Sequence, residues 1–355
     1  MNKLKKLLII ILGILIIGIP TSYRMLFAKV SSDDTEIQVE IPLGTGASGI
    51  AEILKEKDVI KSVLGFKLFV KINGISDFQA GTYKLKQSMT LKEITECLKN
   101  GIVFDPNQIN FTYLEGKNIR WLAEEIAEKT NNTEEDVYEL IQNETYIKSL
   151  IEKYWFITDG IKDRDIYYSL EGYLFPDTYA LQNKDVTVEN IFEKMLDKME
   201  DVLEEYKKEI EESDLNVHEI LTLASIVEME SVHTEDRKDV ASVVYNRLDK
   251  GMAIQSDVTT YYAFKIDMGE RDLYQRELDT YNPYNTRGPR MEGKLPVGPI
   301  SSVSKSSIEA AINPSKTDYL FFVADKYGKV YFSKTISEHN RIISDLTTKG
   351  LWFEY

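Results

Sequence analysis

Apolar and polar residues alternate through TEIQVEIP (35–42), a run rich in β-branched residues, and this spacing predicts a strand. SGIAEILKEK (48–57) and SVLGFKLFVKIN (62–73) carry helical spacing instead, and AGTYKLK (80–86) returns to alternation. Together they predict a β-α-α-β unit. A further helix over 90–100 opens at Thr90 with Glu93 three residues on, the signature of a capping box. Cys97 falls inside it and reads as a small packed side chain.

A weak internal echo runs through the first third of the chain. IPLGTGASGIAEIL (41–54) aligns with YLEGKNIRWLAEEI (113–126), Gly44 over Gly116, and LKQSMTLKEITECL (85–98) is a fainter third copy. Either this is a true repeat or any strand, turn and helix look alike. Residues 132–215 read as acidic helices, including one long helix with an i, i+3, i+4 stripe from residue 188. EGYLFPDTYAL (171–181) interrupts them, as a core-lining loop or a wall on which sugar stacks; its composition favours core.

The stretch 220–312 holds the least ordinary residues. A helix over 220–231 is followed by one over 237–251 that Gly251 can terminate. Polar, turn-rich segments over 255–263 and 281–302 come next, then a helix over 304–314. Two short strands around a Lys-Tyr-Gly turn close the pattern. The fold class is therefore α+β. Within the helix 220–231, Ile220, Leu223, Ala224 and Val227 share a stripe at about 100° per residue, and Glu230 continues that row. Glu228 lies nearer the stripe's other edge and reads as the more solvated of the two. A carboxyl set among apolar neighbours keeps its proton near neutrality, which suits a general acid. A plain surface glutamate is the competing reading.

Composition narrows the chemistry. A net charge of -15 and a pI near 4.9, with no visible basic stripe, argue against a nucleic-acid surface. One cysteine excludes an internal disulfide framework and any multi-cysteine metal site. His218-Glu219 opens like a zinc-protease helix, but Thr222 stands where the second histidine is needed. No phosphate loop, dinucleotide fingerprint or serine elbow is present, so neither a metal nor another cofactor is expected. At the N-terminus, Lys3, Lys5 and Lys6 precede an apolar run that reaches Tyr23, at the short end of the ~17–25 residues that span a bilayer. Leading lysines favour a cytoplasmic N-terminus and place everything after residue 30 outside. A cleaved signal peptide is the competitor, though no A-x-A site follows.

Four ordered segments resemble the endolytic murein transglycosylases, the MltG or YceG-like family. They are EGYLFPDTY (171–179), LASIVEMES (223–231), VASVVYNRLDKGMAIQSDVTTYYA (240–263) and PYNTR with LPVGPIS (283–287 and 295–301). The resemblance extends from about residue 36 to the end. It implies a membrane anchor with its cytoplasmic tip (1–30), a LysM-like glycan-binding region (31–106) and a catalytic domain (107–355). It further implies peptidoglycan strands as substrate and Glu230 as the catalytic residue, with Ser231 completing a Glu-Ser pair. One carboxyl would protonate the oxygen leaving C1 of N-acetylmuramic acid. It would then take the proton of that sugar's 6-hydroxyl as the 1,6-anhydro ring closes.

Candidates for holding the glycan are Gln255, Asp257 and Thr259, with Tyr284, Asn285 and Thr286. Each has a structural alternative, since Asn and Asp satisfy turns and Tyr covers core. The sequence departs from the family pattern at Arg287, where another aromatic is common, and at residues 301–304, which replace Asn-Pro-Gly. Expected partners are glycan strands, the membrane and the peptidoglycan synthases. A non-catalytic wall-binding module and a hydrolytic muramidase are the competing functions.

Overall fold

The structure, a computed structural model, describes residues 26–101, 108–231 and 233–352. The apolar run expected to span the membrane lies outside the described residues. Among those residues no helix is long and apolar enough to cross a membrane. The chain divides into two units after Gln108.

In the first unit, β1 (Glu36–Ile41) leads to α1 (Ala47–Glu56), α2 (Val63–Ile72), β2 (Gly81–Lys86) and α3 (Leu91–Asn100). The strands pair antiparallel, with Val39 opposite Tyr83 and Ile37 opposite Leu85, which completes the β-α-α-β order. Alternation turns Val39, Ile41, Tyr83 and Leu85 to one face, where Leu54, Phe66, Ile94 and Leu98 cover them. The Thr90–Glu93 capping box is present: the Thr90 N–H donates to Glu93 at 2.7 Å and the Glu93 N–H to Thr90 Oγ1 at 3.3 Å. Cys97 packs against this core, and burial pushes its thiol up, away from the reactive thiolate.

The second unit contains β3 (Ile109–Thr112), α4 (Ile119–Lys129), α5 (Glu134–Gln142), α6 (Glu144–Lys153) and β4 (Thr178–Leu181). These are followed by α7 (Val188–Glu204), α8 (Lys207–Glu211), α9 (Val217–Glu230), α10 (Arg237–Asp249), α11 (Asp257–Ala263) and α12 (Gln275–Leu278). Last come α13 (Lys305–Ile312), β5 (Phe321–Ala324), β6 (Val330–Ser333) and α14 (Ile336–Thr348). β3 pairs antiparallel with β4, and β5 with β6. Among the described residues strands meet only in pairs, so helices supply most of the core.

Several expectations change. The long helix from 188 breaks at Tyr206, whose N–H reaches back three residues to Leu203; α8 then turns Ile210 into the core. Residues 255–263, read as a polar loop, contain helix α11, because Val258, Thr259 and Tyr262 turn inward. Helix α14 escaped the pattern altogether: among its residues only Leu346 is fully buried. α9 is not one-sided, since every residue from Ile220 to Val227 is buried. A helix covered all round shows no stripe to read.

EGYLFPDTYAL is core. Tyr173, Leu174 and Tyr179 are buried, and Gly172 sits at φ +78°, in the left-handed region. A Cβ there would collide with the ring of Pro299. Glu171 is 1% exposed; its carboxylate accepts the Ile119 N–H at 3.2 Å and the Tyr262 hydroxyl at 3.0 Å. Burial outweighs these bonds and pushes its carboxyl up to about 8.

Two outcomes follow. Gly172→Ala combines left-handed strain with overpacking and should cost at least about 2 kcal/mol, read as a lower denaturant midpoint. Glu171 holds its proton more tightly when folded, so its contribution is full below about 4.5 and lost as pH rises through about 8. Thermal midpoints should therefore fall across that range, and Glu171→Gln should flatten the slope. An unchanged slope would show that Glu171 is not the titrating group.

Candidate active site

Helix α9 starts at a capping box, with the Glu219 N–H donating to Asn216 at 3.1 Å and the Asn216 N–H to Glu219 at 2.9 Å. Along its length it is tied to two of the motif segments. His218 bridges the Tyr173 hydroxyl and the Val297 carbonyl, each at 2.8 Å, and Ser225 Oγ accepts the Ile300 N–H at 3.0 Å. His218 is thus a brace. The helix stops at Glu230, and Ser231 turns away with extended backbone.

Glu230 therefore stands at the open end of a buried helix, on the wall of a cavity of about 480 Å³. Burial pushes its carboxyl above the usual range, and the charge of Asp257 adds to the rise. The Ser256 hydroxyl, which donates to Oε1 at 2.6 Å, and Arg287 pull the other way. The result is a carboxyl that retains its proton beyond the ordinary carboxylate range yet faces open space. Such a group can give a proton and take it back.

Of the sequence-predicted contacts, Gln255 and Asp257 line this cavity beside Glu230. Thr259, Tyr284, Asn285 and Thr286 do not; all four are 0% exposed. Their expected sugar contact is corrected to a bracing role. Thr286 Oγ1 accepts the Ser256 N–H at 3.0 Å, Thr259 Oγ1 lies 2.7 Å from it, and Thr259 donates to the Ser256 carbonyl at 2.7 Å. Asn285 accepts from Thr260 at 2.7 Å and donates to the carbonyls of Glu277 and Thr280. Tyr284 packs between Tyr167 and Tyr262, with ring centroids 4.7 and 4.8 Å away. The Thr259 and Thr286 contacts fix Ser256, and through it Glu230. Gln255, just before, is held at φ +58°, a strained value for a residue with a side chain.

Sequence reasoning missed Ser256, Arg247 and Arg287, together with a far wall that includes Phe321, His339 and Trp352. Arg287, one of the departures from the family pattern, ion-pairs with Asp257. A serine at the head of a helix is a legible signal, but it is lost once 255–263 is read as a loop.

Glu228 also differs from expectation. Its side chain is 5% exposed and ion-paired to Arg237 at 2.8 Å. Its other oxygen accepts the Ser304 N–H at 2.9 Å and the Ser304 hydroxyl at 2.5 Å. Encirclement of α9 leaves no watery face, so this carboxylate is satisfied by a cation instead.

The YceG-like family model matches residues 39–345. An endolytic murein transglycosylase of Bacillus subtilis is 39% identical over 92% of this chain and 90% of its own length. One from Streptococcus pneumoniae is 33% identical over 87% of this chain, which spans 58% of that protein. A crystal structure of a yceG-like protein from Listeria monocytogenes superposes with a TM-score of 0.61 at 36% identity, covering 87% of this chain and 99% of that one. On these matches, the chain belongs to the YceG-like family.

Proposed function

We infer that the chain is a membrane-anchored endolytic lytic transglycosylase of peptidoglycan, cutting between N-acetylmuramic acid and N-acetylglucosamine in nascent strands. The observation that carries this reading is the Glu230 carboxyl, held by Ser256 and raised by burial, on the wall of a cavity. The names of the relatives supply the substrate class.

Glu230 donates its proton to the leaving oxygen as the C1–O bond breaks, and positive charge spreads over C1 and the ring oxygen. The resulting carboxylate removes the proton of the 6-hydroxyl, whose oxygen closes on C1 to give a 1,6-anhydro end. One residue serves both steps, and no water enters the product. Asp257, beside Glu230, favours the protonated acid before the cut. The Ser256 hydroxyl stabilises the carboxylate after it. Gln255 and Asp257 are the candidate sugar contacts on this side of the cavity.

The anchor over residues 7–23 would hold the cleft just outside the membrane, where new strands emerge beside the synthases. The β-α-α-β unit of residues 36–86 serves as a LysM-like grip on the same strand. Together they favour internal cuts during wall growth.

Protease added to intact wall-stripped cells should digest residues 31–355; full protection would overturn the orientation. Glu230→Gln keeps the shape but cannot donate the proton, so anhydro products should fall by about 10²–10⁴-fold with folding retained. Glu228→Gln leaves Arg237 buried without its counter-ion and should lose about 3–5 kcal/mol of stability, while whatever remains folded still forms anhydro ends. Mass analysis of uncrosslinked glycan treated with each variant separates the outcomes. Reducing ends would point to hydrolysis, and full activity of the Glu230 variant would remove the assignment.

A further inference from the structure

Two arginines of the second unit are more than nine-tenths buried, and they are treated differently. Arg237 has Glu228 as counter-ion at 2.8 Å. Arg247, 6% exposed, bonds only to neutral acceptors among the described residues. Its Nε donates to the Leu320 carbonyl at 2.7 Å. Nη1 donates to the carbonyls of Ala253 at 3.0 Å and Ile254 at 2.8 Å, and to Gln255 Oε1 at 3.3 Å. Nη2 makes no hydrogen bond among the described residues. The Phe321 ring, 4.9 Å from Cζ, offsets part of the cost, but a buried cation without a carboxylate remains expensive.

Arg247 lines the same cavity as Glu230. The other charges there largely cancel: Asp257 pairs with Arg287, and Glu230 is held toward its neutral form. Burial and the charge of Arg247 push His339 toward its neutral form too. What is left is a positive site inside a chain of net charge -15. Gln255 touches Arg247 and the next residue, Ser256, touches Glu230. Both groups thus line one cavity of about 480 Å³ and are joined through two consecutive residues, which sets them around a single bound sugar unit and its lactyl arm.

We propose that Arg247 binds a carboxylate carried on the lactyl arm of the muramoyl unit cut at Glu230. The proposal rests on the functional reading above and deepens it. The planar guanidinium fork matches a carboxylate, and the bond would supply the missing counter-ion. Two sources carry that group: the free lactyl carboxylate of a stem-free strand, or a carboxylate of the attached peptide.

The test uses the full chain and four strands in two matched pairs. One pair is stem-free, with the lactyl carboxylate intact or converted to its methylamide. The other bears stems, with carboxylates free or amidated. In at least one pair the charged strand should be cut about tenfold or more faster, in kcat/KM, than its neutral match, and that pair names the source. Arg247→Lys keeps the charge but loses the fork, so the ratio of charged to neutral cutting should shrink, whatever rate the neutral strands retain. Gln255→Glu supplies a counter-ion from within and should bring the ratio close to one, which keeps the test decisive if the Arg247 variant does not fold. Equal cutting within both wild-type pairs overturns the inference and leaves the enzyme assignment standing. A common loss on all four strands in the Arg247 variant, with the ratio unchanged in the Gln255 variant, also overturns it. No product from any strand with the wild-type chain overturns the functional reading, and this inference with it.

Discussion

A helix buried on every side can carry charge only where its end meets polar partners, and α9 is such a helix. Every residue from Ile220 to Val227 is shielded, and of the two carboxyls that follow only Glu230 reaches an open cavity. The structure satisfies them in opposite ways. Glu228 receives Arg237 and the Ser304 backbone; Glu230 receives one hydroxyl and an open cavity, and burial pushes its carboxyl up. Two residues apart on one helix, the same side chain becomes a structural ion-pair partner and a candidate acid. The difference comes entirely from partners supplied by other segments.

Those partners must themselves be held. Ser256 is fixed by the Thr259 and Thr286 hydroxyls, which bond to each other at 2.7 Å, and the strand of chain beyond is fixed by Asn285. Each such bond adds only about 0.5–1.5 kcal/mol of net stability. Left unmade in so buried a place, each group would cost more than that, so the network tolerates few alternative arrangements. At the other side of the cavity, Arg247 secures the carbonyls of Ala253 and Ile254, and among the described residues one of its nitrogens makes no hydrogen bond. The Ser256 side of the cavity is thus shaped by buried residues that do not line it.

The strand, turn and helix of the internal echo recur in one register. Aligned as in the sequence, the three helices begin at Ala47, Leu91 and Ile119, each right after its N-cap, and Gly44 and Gly116 both take positive φ. In both units helices follow the opening strand before its antiparallel partner arrives, two α-helices in the first and three in the second. A glycine that turns left-handed three residues before a helix is a device sequence comparison can see, because only glycine adopts it without strain.

By itself the sequence determined the α+β class, the β-α-α-β order and the capping box at Thr90. All of these rest on local rules, on the period of apolar residues and a cap three residues from its partner. Tertiary structure alone decided the rest. It made core of Thr259, Tyr284, Asn285 and Thr286, because a polar side chain is buried whenever other segments satisfy its hydrogen bonds. It made a helix of 257–263 and gave Glu228 a cation, because both depend on what packs against them. Local spacing says where a side chain points along its own element. It does not say what another element, dozens of residues away, will place there.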